Sequence, residues 1–186
     1  MEQVLKNKTI AILATDGVEH SELSKPKKAL EEAGAQTVLV SLKSGKIKSW
    51  NHTDWGEAFT VDKTIDDVSS DDFDGLMLPG GVMNPDKLRM NPAAIALVRT
   101  MFEAGKPIAA ICHAPWMLIE ADAVKGRTVT SWPSLKTDLE NAGASWVDKA
   151  VVTDQGLVTS RKPDDISEFN HKMIEEFTEG IHQRST

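Results

Sequence analysis

The sequence predicts an α/β fold with a mostly parallel sheet covered on both faces. Three observations carry that prediction. Short apolar runs of strand length recur along the chain, most are followed by a turn and then a helical pattern, and glycines and prolines mark the boundaries. The 186 residues suit one domain, and 40% apolar content is enough for a core at that length.

Thr9–Ala14 reads as the first buried strand. Ser21–Ala33 reads as a helix that Pro26 delays or kinks, and Gly34 ends it. Thr37–Leu42 is a second strand. Ser44–Val61, with Gly45, Gly56 and two tryptophans, reads as a hairpin or irregular excursion. Gly75–Pro79 is a third strand and runs into Gly80-Gly81. Asn91 is a helix cap with Pro92 at the first helical position, and that helix presents Ile95, Val98, Met101 and Phe102 on one face before Gly105. Pro107–Ile111 is a fourth strand, with a helix beginning near His113. Thr128–Trp132, Trp146–Val152 and Leu157–Ser160 read as later strands. Helices are expected over Ser134–Asn141 and from Asp164 to about Glu179.

Composition narrows the function classes. A net charge of −7 argues against a stable nucleic-acid complex. No apolar run reaches membrane-spanning length, and the first residues lack a signal-peptide core, so the expected location is the cytoplasm. A single cysteine forms no intrachain disulfide, which suits a reducing compartment. The five histidines show no metal-ligand spacing, and no phosphate-loop motif is present; neither a metal nor a cofactor is expected.

Ligands of such sheets sit beyond the carboxyl ends of the strands, which directs attention to Thr15–Glu22, Pro79–Asp86 and Cys112–Trp116. Cys112 ends a buried strand where the chain turns into a helix, the position of a nucleophile elbow. The helix amino terminus offers N–H groups that favour a thiolate and a developing oxyanion. The alternative is a small buried hydrophobe. His113 is adjacent, and neighbours on a helix diverge by roughly 100°, so the sequence leaves open whether it meets the sulfur, faces a substrate or holds a turn. Glu19 follows the first strand and is a candidate to lean over the Cys112 turn and donate a proton; its other role is a cap or solvated charge, which Glu22 suits better. Gly80 and Gly81 permit close backbone approach and anion binding, or form an ordinary tight turn.

Five stretches in order resemble the PfpI-type intracellular protease family, in the superfamily of the Parkinson's-disease-associated protein and the class I glutamine amidotransferases. They are Ala-Thr-Asp-Gly-Val-Glu-His-Ser-Glu-Leu, Leu-Met-Leu-Pro-Gly-Gly, Ala-Gly-Lys-Pro-Ile-Ala-Ala-Ile-Cys-His-Ala-Pro, Gly-Arg-Thr-Val-Thr-Ser-Trp and Val-Thr-Ser-Arg-Lys-Pro-Asp-Asp. The resemblance implies a single domain over 1–186 with a flavodoxin-like three-layer α/β/α sandwich and Cys112 as nucleophile. It makes Glu19 the protonated carboxyl on the sulfur and His113 the histidine beside the nucleophile. Asp86 becomes the acid that a neighbouring subunit contributes to a triad, although it is one carbon shorter than the family's acid and its loop is a residue longer. The N–H groups of Gly81 and Ala114 become oxyanion donors. Ala114 stands where the family often has glycine.

Trp116 and Trp132 are expected to wall the pocket or to serve as core or interface residues. Arg161 is expected to pair with an acid near the site or at an edge. The implied activities are a cofactor-independent, stress-protective glyoxalase or deglycase acting on small carbonyls or on glycated protein and nucleotide adducts, a cysteine peptidase, or a redox sensor with chaperone-like character. A homodimer or higher homo-oligomer is the implied assembly.

Overall fold

The computed structural model describes residues 3–183. Its elements, in chain order, are β1 (Thr9–Leu13), α1 (His20–Glu32), β2 (Gln36–Ser41), β3 (Lys46–Asn51), β4 (Asp54–Thr60), β5 (Lys63–Thr64), β6 (Gly75–Leu78), α2 (Met83–Arg89), α3 (Pro92–Glu103), β7 (Ile108–Ile111), α4 (Pro115–Glu120), β8 (Thr128–Val129), α5 (Lys136–Asn141), β9 (Ser145–Trp146), β10 (Val151–Asp154), β11 (Leu157–Ser160) and α6 (Ile166–Glu179). Seven strands form the main sheet in the order β10-β11-β7-β6-β1-β2-β5. Every neighbouring pair is parallel except β10 with β11.

The central strands are apolar throughout because both of their faces are covered. Their side chains alternate between two cores. Ala11, Leu13, Leu76, Leu78, Ile108 and Ala110 pack on one face with Val98 and Met101 of α3 and Leu118 of α4. Ile10, Ile12, Met77, Ala109 and Ile111 pack on the other with Leu23 and Leu30 of α1 and Phe169, Met173 and Phe177 of α6. Helices thus cover both faces, giving the flavodoxin-like three-layer sandwich.

Local signals act largely as the sequence predicts. The Asn91 side chain accepts from the Ala94 N–H at 3.0 Å, with Pro92 opening α3. Helix α1 runs from His20 straight through Pro26, because Leu23, Pro26 and Leu30 form its buried face and packing outweighs one missing backbone bond.

Three expectations are corrected. Trp146–Val152 is not one strand: Ser145–Trp146 pairs with β8 and Val151–Asp154 pairs with β11. The strand expected over Thr128–Trp132 stops at Val129, beyond which the chain turns and Trp132 N–H bonds the Cys112 carbonyl at 2.9 Å. Pro79–Asp86, expected as a loop, instead runs into the short helix α2 from Met83.

The excursion between β2 and β5 is a two-stranded hairpin, β3–β4, with an irregularity between Lys48 and Trp50. It is docked on the loop after β1. Gly17 N–H reaches the Lys48 carbonyl at 2.9 Å and Trp50 N–H reaches Val18 at 2.8 Å, while Lys48 N–H bonds Asp16 Oδ1 at 2.7 Å. The chain reverses its spatial order between β1 and β6, where β2 lies to one side and β6 and β7 to the other. The loops following β1, β6 and β7 therefore converge at a switch point.

Candidate active site

Cys112 follows β7 in the left-handed backbone region, at φ 64°. A non-glycine residue there costs about 1–2 kcal/mol and persists when its surroundings fix it. Here Cys112 N–H donates to the Ser160 carbonyl at 3.0 Å, and the Cys112 carbonyl accepts from Trp132 N–H. Ala114 N–H closes the turn on the Ile111 carbonyl at 3.1 Å, and Pro115 opens α4. The elbow thrusts the sulfur over the end of the sheet, into a cavity of about 310 Å³.

Four groups meet the sulfur. The backbone N–H groups of Gly81 and His113 donate to it, the Glu22 side chain hydrogen-bonds it, and His113 Nδ1 lies 3.2 Å from Sγ. Glu22 reaches inward from α1 and is 1% exposed, and its Oε2 accepts the Gly80 N–H at 3.1 Å. Burial, with a smaller push from Glu19, raises the Glu22 pKa to about 8, so it is a neutral acid at pH 7. Burial lowers the His113 pKa to about 4, leaving a neutral imidazole. The Cys112 thiol is pushed up by burial, and a charged Glu22 pushes it further, while the N–H groups of Gly81 and His113 pull it down. Glu22 keeps its proton through neutral pH, so there it acts as a donor to sulfur rather than as a repelling charge.

Gly80 is required by space. A Cβ on it would stand 2.7 Å from both Cys112 Cβ and the Ile111 carbonyl oxygen and would strike Glu22. Gly81 holds φ 78°, and a Cβ there would lie 2.8 Å from Glu19 N and Gly17 O. The buried Asn84 of α2 ties the two loops together. Its Oδ1 accepts Thr15 N–H at 2.8 Å, and its Nδ2 donates to the carbonyls of Pro79 at 2.9 Å and Gly80 at 3.2 Å.

A family model described as the DJ-1/PfpI family matches residues 8–176. The chain belongs to the DJ-1/PfpI family. Among its DJ-1/PfpI relatives, General stress protein 18 of Bacillus subtilis (strain 168) is 44% identical over 169 residues, covering 90% of this chain and 96% of that protein. Protein/nucleic acid deglycase 2 of Escherichia coli (strain K12) is 41% identical over 170 residues, with 90% and 96% covered. The crystal structure of Drosophila melanogaster DJ-1beta superposes with a TM-score of 0.84 at 32% identity, covering 92% of this chain and 90% of that one.

Against that DJ-1/PfpI background, the geometry revises several sequence assignments. The carboxyl on the sulfur is that of Glu22, not Glu19. Three residues further into α1, Glu22 falls on the helix face turned toward the β6 and β7 loops, whereas Glu19 is the cap residue and lines the cavity wall. The donors at the sulfur are Gly81 and His113; Ala114 N–H is occupied by the turn. Gly80 serves Glu22 rather than an oxyanion. His113 does reach Cys112 despite adjacency in sequence, because the left-handed backbone at Cys112 makes the helical spacing inapplicable.

Trp132 lines the cavity and stacks on His113 with ring centroids 5.8 Å apart. Trp116 supports His113 from outside, edge-on at 5.1 Å, with its indole N–H on Asp138 at 3.0 Å. Asp86 is exposed on α2 and does not line the cavity of its own chain. Arg161 pairs with Asp165 at 2.8 Å and Asp148 at 2.7 Å, which explains its raised pKa and assigns it a structural task.

Sequence reasoning missed Trp50 and His52, which the hairpin brings to the cavity, and Asn84. Trp50 and His52 carried no legible signal, since their placement depends on how the hairpin docks. One histidine does stand at metal-ligating spacing: ligand atoms of Glu176, Glu179 and His182 lie within 4.8 Å of one another, at the end of α6.

Proposed function

We propose that this protein is a Cys112-dependent enzyme of the glyoxalase or deglycase type, acting on reactive carbonyls and their early adducts. The observation that carries the reading is one sulfur at a strained elbow, flanked by a neutral histidine and a neutral carboxylic acid inside a cavity open to small molecules. The names of the deglycase and stress-protein relatives support it.

With an α-oxoaldehyde, His113 Nδ1 takes the thiol proton as Sγ bonds the aldehyde carbon. The carbonyl electron pair moves to oxygen, which takes the Glu22 proton and gives a hemithioacetal. The Glu22 carboxylate then removes the proton on that carbon, and His113 returns its proton to the second oxygen, giving an enediol. Shifting a proton from the first oxygen to the second carbon leaves a thioester, which water splits into a 2-hydroxy acid and free thiol. An amine adduct enters the same path when Sγ replaces nitrogen and the thiol proton leaves with the amine. The chemistry uses water and no cofactor.

Purified protein is expected to consume methylglyoxal without glutathione, and Cys112→Ser to reduce the rate at least about a thousandfold. An unchanged rate in the variant eliminates the reading. Peptide hydrolysis is the second reading; it needs an acid oriented on His113, the role the resemblance gives to Asp86 of a neighbouring subunit.

A further inference from the structure

Glu176, Glu179 and His182 meet at the carboxyl end of α6. Gly180 turns the chain there at φ 85°, and His182 folds back onto the loops before β7 and β11. Its N–H donates to the Gly105 carbonyl at 2.8 Å, and its ring lies so close over Gly156 that a Cβ there would stand 2.6 Å from it. Both loops precede parallel strands, so the cluster sits at the end of the sheet opposite the sulfur. Backbone on two sides holds the imidazole in place, as a ligand requires.

His182 Nε2 lies 3.2 Å from Glu176 Oε2 and 3.9 Å from Glu179 Oε2, yet it is buried and hydrogen-bonded to neither. A proton bridge needs the N–H in line with its acceptor. A nitrogen close to two carboxylates and aligned with neither is placed to share an ion with them. Tetrahedral zinc sets a histidine nitrogen and a carboxylate oxygen about 3.4 Å apart, near the spacings found. Glu176 is only 7% exposed, and among the described residues its carboxylate has only His182 within ion-pair distance. Charge points the same way. Both carboxylates stand at the negative end of the α6 dipole, in a turn with no basic residue. Lys172 is committed to Glu175 at 2.8 Å, and Lys8 Nζ comes near Gly180 without pairing with either carboxylate.

We propose that Glu176, Glu179 and His182 bind one divalent cation of the zinc class, with water completing its coordination, and that the ion pins the end of α6 to the loops before β7 and β11. Histidine with two carboxylates suits zinc or cobalt better than magnesium or calcium, which seek oxygen alone. Glu179 supplies the way in. Its side chain is 56% exposed, so its outward swing opens the buried nitrogen and Glu176 to an ion from solvent. The site is structural and stands independently of the carbonyl reading.

Untagged, chelator-treated Cys112→Ser protein, which lacks the competing thiol, is titrated with Zn2+ by calorimetry. One ion is expected to bind with a Kd of about 10 μM or tighter. His182→Ala and Glu176→Gln, each in that background, should weaken binding at least about tenfold. Zinc at about a hundred times Kd should raise the thermal midpoint by about 5 °C or more in the parent and not in His182→Ala. No binding below about 1 mM, or an affinity unchanged in His182→Ala, overturns the proposal and leaves His182 as a plain ion-pair partner of the two carboxylates. Should the buried positions fail to fold when changed, the exposed Glu179→Gln decides: it should weaken zinc about tenfold, and an unchanged affinity overturns the proposal.

Discussion

The Glu22 carboxyl is held between the Cys112 sulfur and the Gly80 N–H, so the acid that serves the nucleophile is itself fixed by the loop facing it. Its pKa near 8, against an ordinary value of 4.5, makes folding sensitive to pH. The unfolded chain ionises Glu22 first and holds fewer protons between those values, so stability is fullest below pH 4.5 and falls as pH rises toward 8. The loss attributable to Glu22 is on the order of 4 kcal/mol, and Glu22→Gln should remove it. Urea titrations of both proteins at pH 5 and pH 8 check this; parallel pH dependences would refute it.

Neutral His113 is the proposed proton acceptor, and its pKa of about 4 sets the acid limb of activity. The value of kcat/KM for methylglyoxal should stay free of a histidine titration between pH 5 and 7 and fall about tenfold per unit below pH 4. A limb centred near pH 6.5 would mean that burial beside Trp132 does not hold the ring uncharged.

Gly80→Ala places a methyl group against Cys112 Cβ, the Ile111 carbonyl and the Glu22 carboxyl. Two of those contacts involve backbone or a rigid neighbour, so the strand ends must part. A destabilisation of about 2–4 kcal/mol is expected, with loss of most Cys112 reactivity toward iodoacetamide. Thermal unfolding and alkylation rates measure the two effects separately.

Asn84→Leu removes a clamp of three buried hydrogen bonds while keeping similar volume. Thr15 N–H and the Pro79 carbonyl lose their side-chain partner, at a cost of about 2–4 kcal/mol. Asn84→Asp retains the acceptor for Thr15 but sets a buried carboxyl oxygen against the Pro79 and Gly80 carbonyls, so it should be destabilised more at pH 8, where the carboxyl tends to ionise, than at pH 4. Chemical denaturation of the two variants checks the cost and its pH dependence.

The fold was legible because its signals are local. A strand buried on both faces reads as an apolar run, and Asn91-Pro92 specifies a helix start wherever it occurs. The elbow at Cys112 was legible for the same reason, as a buried strand ending just before Pro115. The identity of the acid was not. Glu19 and Glu22 both sit at the start of α1, and which one meets the sulfur depends on the helix starting at His20 and on its rotation against the sheet. Both are tertiary facts. The split of Trp146–Val152 had a local sign in Asp148-Lys149-Ala150, which are poor strand formers, but that the two ends pair with different neighbours is again a tertiary fact.

The β3–β4 hairpin lies outside the main sheet, yet it carries Trp50 and His52 to the cavity through backbone bonds to the loop after β1. Reaction chemistry and admission are consequently encoded in separate stretches of chain: the sulfur, its acid and its imidazole belong to the sandwich, whereas part of the doorway belongs to an appended ribbon. An engineer wishing to change which molecules enter can therefore rewrite the ribbon's tip and leave the reacting groups as they stand.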